Sequence, residues 1–176
     1  MKTLLSEDEI REGITRVAHS VTEVYGTQPV TIVGVLTGSL VFMADLIRQL
    51  EMPLRLGFLS ASSYRGQMSR GSLVVNSDLM PSVGNTHVLL VDDIFDTGHT
   101  LMKLDQVMRE HESKSVRSAV LLRKIGRQEV PYGPDFVAFD IPDEFVVGYG
   151  MDYQDMFRNL PHVAAVQPED IARFVG

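Results

Sequence analysis

The sequence predicts a single α/β domain with a central, mainly parallel sheet that is flanked by helices. Two observations lead to this prediction. Short, mostly apolar runs alternate with segments whose apolar residues recur at helical spacing, and one run that is apolar throughout, Val88 to Val91, lies in the middle of the chain. A strand that is buried on both faces of a parallel sheet has this composition. At 176 residues the chain is long enough for one such sheet with helices on both sides.

Composition narrows the classes of function. The hydrophobic content of 44% and the charged content of 22% are ordinary for a globular protein, and no apolar run approaches the length of a membrane span. The net charge of −7 argues against a general nucleic-acid binder, and the absence of cysteine excludes disulfides and cysteine-based metal or nucleophile sites. Residues 1–9 are too acidic for a signal or transit peptide. We therefore expect a cytoplasmic protein that binds neither nucleic acid nor membranes.

The first part of the chain predicts a helix followed by a strand, a second helix and a second strand. Ser6 and Glu9 have the spacing of a capping box at a helix start, and Gly26 suits the end of that helix. Between them, apolar residues recur at helical spacing from Ile10 to Val24. The elements that follow are a buried strand at Val30 to Leu36, a helix at 40–50 and a strand at Leu54 to Leu59.

Residues 60–71 interrupt this regular pattern. The segment is polar, contains glycine and has no period, so it predicts a long mobile loop. Long loops in compact domains often act as lids or binding loops. An idle tip of a β-hairpin is the alternative that composition leaves open.

The second part of the chain predicts mainly short strands. They are expected at Leu73 to Asn76, Val88 to Val91, Ser115 to Leu122, Asp135 to Phe139, Phe145 to Gly148 and Val163 to Val166. A turn is expected at Met80 to Asn85, a helix from Leu101 and a last helical turn from Pro168.

The segment that follows the central strand has the residues of a phosphate and sugar site. Asp92 and Asp93 come directly after the strand, Asp96 follows three residues later, and Thr97 to Thr100 open the next helix. Ligands of open α/β sheets bind at the carboxyl ends of the strands, where the N–H groups of a helix start can hold a phosphate. Carboxylates would repel that phosphate, so the three acids suit Mg²⁺, sugar hydroxyls or proton abstraction. The loop predicts a ligand that joins a phosphate to a ribose, although a capped strand–helix connection shares the generic pattern.

The complete string is more specific. Val88 to Thr100, an aliphatic strand with Asp-Asp, two apolar residues and Asp-Thr-Gly-His-Thr, resembles the 5-phosphoribosyl-1-diphosphate (PRPP) signature of the type I phosphoribosyltransferases. Together with Leu36 to Ser39, Ser63-Tyr64, Arg123-Lys124 and the string Pro134 to Leu160, it is similar to the hypoxanthine-guanine branch of that family.

The resemblance runs from Val30 to about Val166 and implies the type I phosphoribosyltransferase fold, in which a small hood is formed from terminal segments. It implies one phosphoribosyltransferase domain at residues 1–176. The core would occupy about 28–125, the base-binding hood segment about 126–176, and the mobile loop 60–71.

The resemblance also implies a role for each matching position. Asp92 and Asp93 match the acid pair that engages the ribose hydroxyls and Mg²⁺, and Asp152 matches a second Mg²⁺ contact beside the purine base. Asp96 matches the catalytic carboxylate that faces N7 of the purine as a general base or electrostatic stabiliser. The other matches are Thr97, Gly98, His99 and Thr100 with the 5′-phosphate cradle; Leu36, Thr37, Gly38 and Arg158 with the pyrophosphate contacts; Ser63 and Tyr64 with the closing loop; and Lys124, Phe145 and Val146 with the base contacts.

The implied reaction is Mg²⁺-dependent transfer of the phosphoribosyl group from PRPP to N9 of hypoxanthine or guanine. Its products are IMP or GMP and pyrophosphate, and the implied assembly is a homodimer or homotetramer. The peptide bond in the pyrophosphate loop of this family is often a non-proline cis bond. The sequence alone does not reveal whether the Leu36–Thr37 bond has this form.

Three residues depart from the family pattern. Thr37 stands where the pyrophosphate loop frequently has lysine, and His99 replaces a common lysine in the phosphate cradle. Asp92 replaces a glutamate and is one methylene shorter. These departures bear on pyrophosphate affinity more than on the identity of the family.

Each matching residue also has an ordinary structural interpretation. Asp152 and Arg158 could form a surface ion pair, Phe145 could be a core residue, and Lys124 could be solvated at a strand end. At the level of function, the alternatives are a non-catalytic PRPP- or nucleotide-sensing regulator and a phosphoreceiver with a paired-acid Mg²⁺ site. The acidity of the chain speaks against the basic face of an RNA-binding regulator, and the mid-chain position of the acid pair speaks against a receiver.

Overall fold

The structure is a computed structural model that describes residues 1–63, 73–76, 78–167 and 169–170. In chain order its elements are β1 (Lys2–Leu5), α1 (Glu7–Tyr25), β2 (Val30–Leu36), α2 (Leu40–Ile47), β3 (Leu54–Ser63), β4 (Leu73–Asn76), β5 (His87–Phe95), α3 (His99–Glu110), β6 (Ser115–Lys124), β7 (Phe136–Ile141), β8 (Val146–Val147) and β9 (Val163–Ala165).

The larger sheet confirms the predicted α/β architecture. Its strand order is β4-β3-β2-β5-β6-β7, and every pair is parallel except β3 with β4. The central strand β5 pairs with β2 only as far as Val91, whereas its pairing with β6 continues to Phe95. The carboxyl end of β5 therefore extends beyond its β2 partner, and the acidic residues lie on this extension.

The central strand is buried on both faces, as its composition predicts. Leu89 and Val91 pack in the same cluster as apolar residues of α1 and α2, while Val88 and Leu90 pack with α3 on the opposite face. All four side chains are fully buried. Because the strand is packed on both faces, the acidic residues that follow Val91 are held at the carboxyl edge of the sheet.

Helix α1 begins and ends as the sequence predicts. The Ser6 hydroxyl accepts a hydrogen bond from the Glu9 N–H at 3.3 Å, and the Glu9 carboxylate accepts one from the Ser6 N–H at 2.8 Å. Gly26 ends the helix with φ of 57°, a left-handed conformation that glycine adopts without steric cost.

A second, smaller sheet confirms the hood formed from terminal segments. Its order is β1-β9-β8, and both pairings are antiparallel. Strand β1 is absent from the sequence prediction, because its four residues are too few to give a pattern and its partner lies at the other end of the chain. The N-terminal ammonium also contacts Asp170 at 2.7 Å. Strand β7, within the predicted hood segment 126–176, is the last strand of the larger sheet.

Two of the strands that extend beyond their predicted ends bear on the site. Strand β3 continues to Ser63 because residues 60–63 pair with β4, so the predicted loop 60–71 is wrong over its first four positions. Residues 64–72 lie outside the described part of the chain. Strand β5 continues through Asp92 and Asp93 because β6 pairs with it there, so these acids belong to the strand rather than to the loop. Among the described residues, no helix is long and apolar enough to cross a membrane.

Candidate active site

The carboxyl ends of the central strands form one side of a cleft of about 240 Å³. Strand β5 contributes its acidic end, β6 ends at Lys124, and the segment around β8 supplies the opposite wall. The lining residues are Asp93, Ile94, Asp96, Lys124, Phe145, Val146, Met151 and Asp152. The cleft thus brings together six residues that the sequence resemblance assigns to catalysis, metal binding and base binding.

The adjacent acids Asp92 and Asp93 differ in exposure. Asp92 is buried, and its carboxylate accepts the Asp93 backbone N–H at 3.0 Å. Burial raises the pKa of Asp92 well above its usual value, and the neighbouring carboxylate of Asp93 adds to this effect. Burial also raises the pKa of Asp93, although hydrogen bonds and the charge of Arg158 oppose that change. A cation near this pair would favour the ionised forms.

Residues 36–39, which include the predicted pyrophosphate loop at 36–38, lie at the carboxyl end of β2 against the acid pair. The Leu36–Thr37 peptide bond is cis. Gly38 has no room for a side chain, because an added Cβ would overlap the Asp93 carboxylate. The buried hydroxyl of Ser39 donates to the Val35 carbonyl at 2.6 Å and ties the loop to its strand. Thr37 is exposed.

Arg158 connects the far wall of the cleft to this loop. Its guanidinium donates to the Gly150 carbonyl at 2.8 Å, and a side chain on Gly150 would in turn overlap the Gly38 carbonyl. A second guanidinium nitrogen lies 2.7 Å from Asp152 and 3.2 Å from Asp155. Asp152 and Arg158, to which the resemblance gives metal and pyrophosphate roles, therefore pair with each other here.

Lys124 and Phe145 do not fit their ordinary structural interpretations. The Lys124 side chain is only 12% exposed, and its ammonium lies 3.2 Å from Asp143 and 3.9 Å from Asp96, so it is not a solvated strand end. Phe145 is 54% exposed as a residue and therefore does not belong to the core. Its edge meets the Tyr153 ring with the centroids 5.7 Å apart. An exposed aromatic face beside a nearly buried cation suits a flat base that carries a hydrogen-bond acceptor.

Asp96 is held by a residue that the sequence analysis does not single out. Arg127 Nε lies 3.0 Å from one Asp96 oxygen and 3.6 Å from Asp143. Asp143 lies within the quoted family string but has no role assigned by the resemblance. The sequence signal for Arg127 is weak, since it is a cation three residues after Lys124 in an irregular segment.

Residues 97–100, the predicted phosphate cradle, lie at the start of α3. Gly98 adopts φ of 90° at the helix start, where the backbone N–H groups and the helix dipole favour an anion. Glu129 covers one side of the cradle, because its N–H donates to the Thr97 carbonyl at 3.0 Å and its carboxylate lies 3.2 Å from His99.

The cleft can supply oxygen ligands to Mg²⁺ but does not form a complete protein cage. In the described part of the chain, no group of three or more His, Cys, Asp or Glu residues could hold a metal ion. Protein-bound Mg²⁺ usually takes one or two carboxylates and completes its shell with waters and substrate phosphates. Asp93 and Asp152, which both line the cleft, fit this requirement. Ser63 ends β3, and the structure does not describe its side chain or Tyr64.

Comparisons with known proteins identify the family of the chain. Residues 2–154 match the family described as phosphoribosyl transferase domain. Over 169 residues the chain is 38% identical to a hypoxanthine-guanine phosphoribosyltransferase of Streptococcus pneumoniae, which covers 96% of this chain and 94% of that protein.

Two solved structures have a similar fold. A hypoxanthine-guanine phosphoribosyltransferase from Bacillus anthracis, with a HEPES molecule in its active site, has a TM-score of 0.90 and 36% identity over 95% of this chain and 99% of that one. A hypoxanthine phosphoribosyl transferase of Trypanosoma cruzi has a TM-score of 0.92 and 36% identity over 99% of this chain and 95% of that one.

Proposed function

The chain belongs to the phosphoribosyl transferase family, in its hypoxanthine-guanine branch, and from this premise we propose how its residues carry out the reaction. The enzyme acts in purine salvage and transfers the 5-phosphoribosyl group of PRPP to N9 of hypoxanthine or guanine. The observation that best supports the residue roles is the single cleft that holds Asp96, Lys124 and the exposed Phe145 ring.

PRPP would bind along the carboxyl edge of the sheet. The cradle at 97–100 suits the 5′-phosphate, because the start of a helix attracts anions. The acid pair at the end of β5 suits the ribose hydroxyls. The pyrophosphate loop and Arg158 flank the side of the cleft where the leaving group would lie. When pyrophosphate is bound, Arg158 would contact it in place of the Asp152 carboxylate.

The purine would occupy the other side of the cleft. Phe145 offers its ring for stacking, the Val146 backbone would contact the base edge, and the Lys124 ammonium would donate to the 6-oxo group. In this pose Asp96 faces N7. Its carboxylate can accept the N7 proton as N9 attacks, which makes the base more nucleophilic.

At C1′ the reaction forms one bond and breaks one, while the N7 proton of the base passes to Asp96. The bond from N9 to C1′ forms, the bond from C1′ to the pyrophosphate oxygen breaks, and the electron pair leaves with pyrophosphate. The developing ribosyl cation must be kept from water, which is the role that Ser63 and Tyr64 would serve in the closing loop.

We propose Mg²⁺ as the cofactor, which Asp93 and Asp152 would hold together with PRPP oxygens. Asp92 is buried and would add its negative charge beside Asp93. When bound, Mg²⁺ neutralises negative charge on the leaving pyrophosphate. The net charge of −7 makes such neutralisation important, because the protein field opposes a polyphosphate. A homodimer or homotetramer in the cytoplasm is part of the same proposal and is supported by the family resemblance.

The test is a transfer assay with PRPP, Mg²⁺ and hypoxanthine or guanine, in which nucleotide and pyrophosphate are both measured. We expect equal amounts of the two products and no turnover after complete chelation of divalent cations. Nucleotide formation that survives chelation would remove the metal from the proposal. Binding of PRPP without any product would instead favour the regulator class.

A further inference from the structure

Arg127 contacts the reaction centre without lining it. Its Nε lies 3.0 Å from Oδ1 of Asp96, and Asp96 is among the residues that line the cleft. Arg127 is not one of the described residues that line the cleft. The guanidinium therefore holds the Asp96 carboxylate from outside the space that the purine would occupy.

The chain fixes Arg127 at this position from both sides. Before it, the Ile125 N–H donates to the Ile141 carbonyl at 2.9 Å, and Gly126 turns the backbone with φ of 76°. After it, the Glu129 N–H donates to the Thr97 carbonyl at 3.0 Å. These bonds are made by backbone groups, so the position of residue 127 does not depend on the Arg127 side chain itself.

The orientation of the Asp96 carboxylate needs such support. The side chain is 39% exposed, and the terminal torsion of an aspartate is broad, so solvent alone would leave it free to rotate. A guanidinium is planar and holds a carboxylate more rigidly than an ammonium does. With Oδ1 held by Arg127, the other oxygen, Oδ2, lies 3.9 Å from the Lys124 ammonium that lines the cleft.

Asp143 connects the two cations. It accepts a hydrogen bond from Lys124 at 3.2 Å and lies 3.6 Å from Arg127. The group that would select the 6-oxo oxygen and the group that orients the general base are therefore anchored on one carboxylate. O6 and N7 are neighbouring atoms on one edge of a purine, and this arrangement matches their proximity.

We propose that Arg127 is a positioning residue that holds Oδ1 of Asp96 so that Oδ2 meets the N7 proton of the purine. The inference rests on the proposed function, because it assigns Asp96 to N7. It adds a requirement that the family resemblance does not contain. Misplacement of a reacting group by about 1 Å can cost on the order of a hundredfold in rate, which is the scale of effect to look for.

A purely structural role for Arg127 would give a different result. Glu129 and Val130 contact the phosphate cradle at Thr97 and Gly98, so a general loosening of this segment would raise the KM for PRPP. Loss of Asp96 orientation would instead lower kcat and leave the KM for PRPP unchanged. The division between kcat and KM therefore separates the two roles.

The experiment compares Arg127→Gln and Arg127→Lys with Arg123→Gln, a matched control that removes an exposed Arg–Asp pair from the end of β6. We expect Arg127→Gln to lower kcat roughly ten- to hundredfold with the KM for PRPP within about twofold of wild type. Arg127→Lys should recover part of the rate, since an ammonium restores the charge but not the planar contact. The control should match wild type.

A second probe is 7-deazahypoxanthine, which has carbon in place of N7. Its inhibition constant against hypoxanthine should be the same for wild type and Arg127→Gln, because the analogue has no N7 proton for Asp96 to accept. If Arg127→Gln also raised the inhibition constant of the analogue, Arg127 would act on base binding in general, and the proposal would be overturned.

The outcomes separate this inference from the function on which it rests. Wild-type protein that forms no nucleotide would refute both. If the wild type is active and Arg127→Gln has either an unchanged kcat or only a raised KM for PRPP, the role of Arg127 is refuted and the proposed function is not. If Arg127→Gln does not fold, Arg127→Lys gives the same test, and full activity in that variant would contradict the need for a planar contact.

Discussion

The Asp93 carboxylate lies directly against the α-carbon of Gly38, so closely that a Cβ on Gly38 would overlap it. The pyrophosphate loop and the acid pair thus share one continuous surface, although they come from different strands. Gly150 closes the other side of the loop, because a side chain there would overlap the Gly38 carbonyl. A metal-bound pyrophosphate would need both elements in this arrangement.

Gly38→Ala should therefore disable the site without unfolding the protein. The added methyl group must displace either Asp93 or the loop, and we expect the kcat/KM for PRPP to fall by roughly a hundredfold. Gly133→Ala is the matched control, because a Cβ at that position meets nothing within 4 Å. Steady-state kinetics with both variants provide the measurement, and equal activity in the two would show that the Gly38–Asp93 contact is dispensable.

Asp92→Asn should stabilise the fold and reduce activity. Burial raises the pKa of Asp92, so the native state binds its proton more tightly than the unfolded state does. Wild-type stability should then fall as pH rises from about 4, the unfolded Asp value, through the raised native pKa. The amide has no charge to bury and keeps an oxygen for the Asp93 N–H. We expect a gain on the order of 1 kcal/mol at neutral pH and a lower kcat/KM.

Denaturant unfolding of wild type and Asp92→Asn across this pH range is the measurement. Asp140→Asn is a control in which the pH dependence of stability should have the opposite sign, because hydrogen bonding to Arg123 lowers the pKa of Asp140. That carboxylate contributes stability above its unfolded pKa, and the contribution is lost as pH falls. A difference between wild type and Asp92→Asn that does not grow with pH would contradict the burial argument.

Thr37→Lys should tighten pyrophosphate binding. Thr37 is exposed in the pyrophosphate loop, and an ammonium there would face a polyanion in a protein of net charge −7. A partly exposed charge interaction is worth on the order of 1 kcal/mol, or about fivefold in the inhibition constant. Thr27→Lys, at an exposed position after α1, makes the same change in net charge away from the loop. If both variants tighten pyrophosphate equally, the effect comes from net charge and not from the loop.

Parts of the fold were predictable wherever a local pattern carried the information. Val88 to Val91 is apolar at every position and Val30 to Leu36 at all but Thr31 and Gly34, which is the composition of strands that are buried on both faces. Strand β1 has no such pattern, since it is only four residues long, two of them exposed and two half-buried, and it forms by pairing with β9. Pairing with β6 likewise continues β5 through Asp92 and Asp93, residues that usually disfavour strands.

The site was predictable to the extent that motifs mark it. The segment Asp92 to Thr100 and the position of Lys124 follow from strings that can be recognised in sequence. The role inferred for Arg127 does not, because its contact with Asp96 depends on a turn at Gly126 and on the parallel placement of β5 beside β6. The two residues are 31 positions apart in the chain, so no local sequence pattern can indicate their contact.

We propose that selection of the base depends on Lys124. Its ammonium has three donors and no acceptor, so the 6-oxo group of hypoxanthine or guanine can accept from it, whereas the amino group of adenine cannot. Because the Lys124 side chain is only 12% exposed, few waters could replace the missing acceptor, and with adenine the ammonium would keep Asp143 but gain no hydrogen bond from the base. Sites built around a polar substrate group can reject a mismatched analogue by about 10⁴–10⁵.

The most direct test is the kcat/KM of wild type and Lys124→Ala for hypoxanthine, guanine and adenine, with PRPP and Mg²⁺ saturating. We predict turnover of both 6-oxopurines, no measurable use of adenine by wild type, and a large loss for the 6-oxopurines in Lys124→Ala while PRPP binding stays nearly intact. Adenine turnover within about tenfold of hypoxanthine, or a variant with unchanged rate and base preference, would contradict the assignment of this cleft to 6-oxopurines.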